Sequence, residues 1–179
     1  MDAASLLDRP LVLIGLMGAG KTTVGRQLAV RLGLPFIDSD AEIEAAARYS
    51  IPEIWARFGE DAFRDGERRV VRRLMADPSP RVIATGGGVF ADPGSRALLL
   101  ERALVIWLRA DVPVLAERVG RRPTRPLVAD GRAAEVLGGL AAAREPLYAQ
   151  AHLEVRSDAR PHGRTVDAIV EAIRGWSGR

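Results

Sequence analysis

Leu11-Val12-Leu13-Ile14-Gly15-Leu16-Met17-Gly18-Ala19-Gly20-Lys21-Thr22 contains two signals in succession. The first is a short, unbroken apolar run, the pattern of a strand buried on both faces. The second is the spacing G-x-x-x-x-G-K-[ST], a glycine-rich loop whose backbone N–H groups and following helix start can cradle phosphate oxygens. Of the 26 Lys and Arg residues in the 179-residue chain, Lys21 is the single lysine. The chemistry explains the exception. A slender ammonium reaches the β- and γ-phosphates as a point charge, whereas a guanidinium is planar, wider and suited to bidentate partners.

Beyond this stretch, apolar runs and helical patterns alternate. Lys21 to Leu32 reads as a helix with Val24, Leu28 and Leu32 on its buried side, stopped by Gly33. Pro35 to Asp38 is a second strand, followed by helical segments over Ala41 to Ala47, Pro52 to Phe58 and Glu60 to Met75. Ser50 is placed to cap the middle segment, with Glu53 three residues on and Pro52 in the first turn. Arg81 to Thr85 and Ala103 to Leu108 are strands on either side of a helix over Ser95 to Arg102. A helix over Val112 to Val119, a break from Gly120 to Gly131 and an alanine-rich helix over Arg132 to Gln150 lead to a fifth strand, Leu153 to Ser157. Thr165 to Trp176 is the closing helix. Strands separated by helices imply an α/β fold, a five-stranded parallel sheet with helices on both faces. The length suits one domain over residues 1–179.

Bulk properties narrow the function. There is no cysteine, which excludes a disulfide framework and thiolate metal sites. The formal net charge of +3 suits an anionic small ligand and argues only weakly for nucleic acid. No signal-like N-terminus and no membrane-length apolar run occur, so a soluble cytoplasmic protein, without membrane or nucleic-acid partners and monomeric, is expected.

Ligands of parallel sheets bind beyond the carboxyl ends of the strands. The polar oddities fall on that rim: the glycine loop after strand one, Asp38 and Asp40 after strand two, Gly86-Gly87-Gly88 after strand three. In extended chain, Asp38 and Asp40 point the same way. One could hold Mg²⁺ with the Thr22 hydroxyl, the other orient or deprotonate a hydroxyl acceptor; alternatively both cap the next helix. Gly86 to Gly88 would permit positive φ angles and close approach to a ligand, or form a plain turn. Arg64 and Glu67 lie three apart on a helix, and the spacing by itself favours a solvated surface pair over a carboxylate grip. The segment about 118–132, carrying Arg118, Arg121, Arg122, Arg125 and Arg132, reads equally well as a phosphate lid or as a basic surface loop or nucleic-acid patch. His152 and His162 lack metal-ligand spacing and are expected to be structural or exposed.

These positions resemble, in order and along nearly the whole chain, the shikimate kinase family. The matching motifs are Gly15 to Gly25, Phe36-Ile37-Asp38-Ser39-Asp40, Ser50-Ile51-Pro52-Glu53-Ile54, Phe63-Arg64-Asp65-Gly66-Glu67, Gly86-Gly87-Gly88, Arg125-Pro126-Leu127 and Arg144-Glu145-Pro146-Leu147-Tyr148. The resemblance implies a three-layer P-loop kinase fold and ATP-dependent phosphorylation of the shikimate 3-hydroxyl, giving shikimate 3-phosphate and ADP in aromatic amino-acid biosynthesis. It implies that Gly18, Ala19, Gly20, Lys21, Thr22 and Thr23 bind ATP, with Arg125 on its phosphates and Arg118 and Arg160 on the adenine side. Asp40, Arg64, Gly87 and Arg144 would hold shikimate, and Thr22 and Asp38 the Mg²⁺. Lys21, Asp40 and Arg125 would carry catalysis. Thr22 departs from the family's common serine.

Rival readings remain distinct. A gluconate or nucleoside monophosphate kinase shares the loop and an arginine lid, but paired arginines beside a hydroxyl-binding aspartate suit a hydroxylated ring acid better. A GTPase switch is disfavoured because the chain has no asparagine for an Asn-Lys-x-Asp guanine reader. A nucleic-acid binder lacks an aromatic stacking series.

Overall fold

A computed structural model describes residues 7–120, 132–158 and 162–176. Among them are five strands, β1 (Leu11–Ile14), β2 (Phe36–Asp38), β3 (Val82–Ala84), β4 (Leu104–Arg109) and β5 (Leu153–Arg156). They form one parallel sheet in the order β2-β3-β1-β4-β5. β1 is central and wholly buried, which is why its residues are uniformly apolar rather than alternating. Each of Leu11 and Leu13, fully inaccessible, contributes roughly 1.5–3 kcal/mol by leaving water.

Among the described residues seven helices pack around the sheet: α1 (Lys21–Leu32), α2 (Ser39–Ala47), α3 (Ile51–Ala76), α4 (Pro93–Arg102), α5 (Val112–Gly120), α6 (Ala133–Tyr148) and α7 (His162–Gly175). α1 and α7 pack together on one face, while α4 lies on β4 and against α3 on the other. α1 buries Val24, Leu28 and Leu32, one turn apart, and ends at Gly33 in the left-handed conformation.

The strand order places the reversal of winding at β1, with β3 on one side and β4 on the other. A crevice forms there, beyond the carboxyl ends of the strands.

Several expectations are corrected by the structure. Asp40 is not in extended chain after strand two, because α2 begins at Ser39. α7 begins at His162, three residues before the expected Thr165. A 3-10 turn, Val89–Ala91, follows the triple glycine and was not legible in the periodicity. The two helical segments expected before and after Gly59 are present, by contrast: α3 is interrupted at the non-helical Gly59 (φ 79°, ψ 177°), where two helices meet at a kink. The capping prediction at Ser50 holds: the Glu53 carboxylate accepts from the Ser50 N–H at 2.8 Å and its hydroxyl at 2.6 Å.

Candidate active site

The loop between β1 and α1 closes over its own lysine. Lys21 Nζ donates to the carbonyls of Gly15 (2.8 Å) and Leu16 (2.9 Å), so the ammonium is held inside the loop it serves. Gly20 supplies the helix start at φ 92°, a conformation that side chains resist, and aligns the first N–H groups of α1 with the loop. From the far side, Ser157 Oγ donates to Ala19 O (2.8 Å), and Arg118 Nη1 reaches Gly18 O (3.2 Å) and Ser157 Oγ (3.2 Å). Arg118 Nη2 also donates to Asp158 O. Burial pushes the Arg118 pKa down, against the raising pull of Asp158 and Glu117.

Asp38 and Asp40 have separate jobs. Asp38 caps α2, its Oδ1 accepting from the Asp40 N–H at 3.0 Å, while its Oδ2 accepts from the Thr22 hydroxyl at 2.8 Å. The idea that both carboxylates cap is therefore corrected: the helix turns Asp40 away from Asp38 and toward Gly86. Thr22 and Asp38 offer a hydroxyl and a carboxylate side by side, oxygen donors of the kind Mg²⁺ takes in ones and twos beside substrate phosphates. Among the described residues no group of three or more His, Asp or Glu could hold a metal, so any ion here would draw its other ligands from phosphate and water.

The Arg64–Glu67 pair is not a solvated surface pair. Glu67 has only 6% of its side chain exposed and accepts from Arg64 Nη1 at 2.6 Å, while Arg64 also reaches Glu60 (Nη2–Oε1 3.2 Å). The two pKa shifts pull in different senses. Burial, with Asp40 nearby, raises the Glu67 pKa despite the lowering influence of Arg64 and Arg144. Arg64 is raised although burial opposes it, because Glu67 and Glu60 favour its charge. A guanidinium at 2.6 Å that stays charged at any ordinary pH decides for a charged pair near neutrality.

The triple glycine explains itself through these side chains rather than through backbone freedom. None of the three lies at positive φ, contrary to expectation. A Cβ on Gly86 would stand 2.7 Å from Asp40 Oδ1 and 2.9 Å from Glu67 Oε1, and one on Gly88 would stand 3.1 Å from Arg64 Cζ. At Gly87 the Cβ position is 3.5 Å from Arg144 Nη1 and 3.6 Å from both Gly15 O and Met17 N. Gly87 O accepts from Arg144 Nη1 at 2.9 Å. The phosphate loop, Asp40 and both arginines therefore meet at the triple glycine, and a cavity of about 260 Å³ beside it is walled by Arg64, Glu67, Arg68, Gly88 and Arg144. Arg68 in this wall was not singled out from sequence, where nothing separates it from neighbouring surface arginines. Tyr148 is also placed here, its hydroxyl on Gly87 O, and only its motif membership signalled it. Arg125, Arg160 and most of the expected lid lie outside the described residues. His152 is structural, its Nδ1 accepting from the Val105 N–H at 3.0 Å, whereas His162 sits against the Gly20 position (3.2 Å from its Cβ site to Cε1).

Fold and site define the class: a P-loop small-molecule kinase. A model described as shikimate kinase matches residues 17–174. The chain is 53% identical over 173 residues to the shikimate kinase of Novosphingobium aromaticivorans, covering 95% of this chain and 90% of that protein. The Caulobacter vibrioides shikimate kinase is 53% identical, covering 97% and 86%. Among solved structures, shikimate kinase from Acinetobacter baumannii in complex with shikimate superposes with TM-score 0.90 at 34% identity, covering 98% of this chain and 99% of the other. A gluconokinase from Sinorhizobium meliloti shares the fold at TM-score 0.64 and 20% identity. The chain belongs to the shikimate kinase family.

Proposed function

We propose that this chain transfers the γ-phosphoryl group of ATP to the 3-hydroxyl of shikimate, giving shikimate 3-phosphate and ADP, as a single cytoplasmic domain spanning residues 1–179. The observation that carries the reading is the meeting at Gly87, whose Cβ position is 3.5 Å from Arg144 Nη1 and 3.6 Å from Gly15 O and Met17 N of the phosphate loop. A carboxylate gripped by Arg64 and Arg144 would lie against the loop that cradles the donor. No helix among the described residues is long and apolar enough to cross a membrane.

Phosphoryl transfer relies on alignment and on neutralising the charge spread over the transferring group. The loop N–H groups and Lys21 bind the donor phosphates, and Arg125, from the segment after α5, joins them. Thr22 and Asp38 would hold Mg²⁺, which would supply positive charge to offset that of the donor phosphates. Arg64, braced by Glu67 and Glu60, and Arg144, braced on Gly87 O, each keep N–H groups for a carboxylate. With the carboxylate fixed, Asp40 accepts a hydrogen bond from a ring hydroxyl and turns its oxygen toward the γ-phosphorus.

The test is ADP release measured by a coupled assay, with shikimate, gluconate and AMP offered separately at equal concentration. Release dependent on shikimate is expected. Turnover of gluconate or AMP as fast as shikimate would overturn the assignment.

A further inference from the structure

One hydroxyl beside the arginine pocket has no part in that reaction scheme. Tyr148 is the last residue of α6, one turn beyond Arg144, and is fully buried. Its ring sits between Phe90 (centroids 6.2 Å apart) and Trp107 (5.8 Å). Packing accounts for the ring but not for the oxygen, since a core position filled by tyrosine must find a partner for its O–H. The partner is Gly87 O, at 2.7 Å. That carbonyl is also the one that accepts from Arg144 Nη1 at 2.9 Å. A carbonyl oxygen has two lone pairs, and here one hydrogen bond from each side chain occupies them.

This shared acceptor has a mechanical consequence. Either donor by itself would leave the Gly87 peptide able to rotate toward the cavity, because glycine offers little resistance. Two donors from one helix turn hold its oxygen toward α6. The Nη1 contact then sets the plane of the Arg144 guanidinium, and with it the direction of the remaining N–H groups. Burial, the largest influence, raises the Tyr148 pKa against the opposing charge of Arg144, so the phenol remains a donor through neutral pH.

We propose that Tyr148 is a positioning residue for the acceptor: its hydroxyl, by holding Gly87 O, aims Arg144 and so sets acceptor affinity without touching the acceptor. The inference rests on the assignment of Arg144 to the shikimate carboxylate. It separates the hydroxyl, which acts on binding, from the ring, which acts on packing.

Tyr148→Phe keeps the ring and removes the oxygen. The dissociation constant of shikimate, measured by calorimetry, is expected to rise about three- to tenfold, the worth of one net hydrogen bond. The KM for ATP should stay within about twofold of wild type, since the phosphate-loop bonds from Lys21, Ser157 and Arg118 are untouched. In an Arg144→Ala background the same change should alter the shikimate KM by less than about twofold, because the group being aimed is gone. Parallel rises in both KM values, unchanged shikimate affinity, full additivity with Arg144→Ala, or failure of Tyr148→Phe to fold would each overturn the proposal by making the hydroxyl a structural group. Failure of the wild-type protein to bind shikimate would instead sink the acceptor assignment and is read separately.

Discussion

Replacing Gly88 by alanine tests the site through one added methyl group. Gly88 has φ −95° and ψ −16°, a conformation that alanine adopts freely, so the backbone has no reason to move. The new Cβ would stand 3.1 Å from Arg64 Cζ and 3.3 Å from Nη2, with Nη1 closer still. The far end of a long side chain gives way more readily than the backbone of a half-buried loop, so Arg64 moves. Its Nη1 now lies 2.6 Å from Glu67 Oε2, and a retreat of about 1 Å takes that contact beyond hydrogen-bond range. One charge-assisted bond is worth roughly 1.5–3 kcal/mol, and Arg64 would be misaimed by the same displacement. The KM for shikimate should therefore rise about 10- to 150-fold, with the KM for ATP within about twofold and a thermal midpoint lowered by about 3–12 °C in a protein that still folds. Steady-state coupled assays over both substrates, with a thermal melt, decide it. A wild-type shikimate KM would show that Arg64 does not grip the acceptor, and loss of folding would show that the crowding is not relieved by Arg64 at all.

The remaining predictions bear on the chemistry, its pH dependence and the core. Asp40→Asn should lower turnover by at least ~10²-fold, the low end for a positioned base, and near-normal turnover would remove Asp40 from the mechanism. Because burial raises Glu67 above its ordinary 4.5, the folded protein holds that proton more tightly than the unfolded chain. Its contribution to stability is thus greatest at low pH and falls as pH rises from the ordinary to the raised value. Shikimate affinity runs the opposite way, since Arg64 is braced by the ionised form; the KM should climb as pH drops through the raised value, and Glu67→Gln should flatten that limb. An identical limb in the variant would assign the titration to another group. Gly25→Ala puts a Cβ 2.7 Å from Phe36 Cε2 and 3.3 Å from Leu13 Cδ1. Overpacking costs ~1–3 kcal/mol, and better helix propensity returns up to ~1 kcal/mol. Urea denaturation should show a net loss, and a higher midpoint would refute the packing argument.

Much of the site could be read from residue order because its parts are local. The phosphate loop, the Ser50–Glu53 cap and the break at Gly59 each depend on residues within a turn or two of each other. The exceptions share a cause. Asp40 was assigned to extended chain because period-two reasoning ignores where a helix starts, and the cap that starts it is Asp38, two residues earlier. Arg64 and Glu67 read as solvated because their neighbours Arg68, Arg69, Arg72 and Arg73 have the look of a surface. What buries them is the Gly86–Gly88 turn, some twenty residues further along the chain. Arg68 was invisible for the same reason.

Composition and spacing by themselves determined that this is a parallel α/β protein with a phosphate cradle, because a buried strand must be apolar throughout and only glycine and lysine suit that loop. The family likeness was equally present in the ordered motifs. Which groups face one another was decided by tertiary structure alone. The strand order brings the ends of β1 and β3 side by side, so that Gly87 lies between Arg144 and the phosphate loop. Contacts such as Tyr148 to Gly87, sixty-one residues apart, arise only when the sheet closes. Local rules stop at the turn, whereas burial and charge pairing depend on what the rest of the chain places alongside.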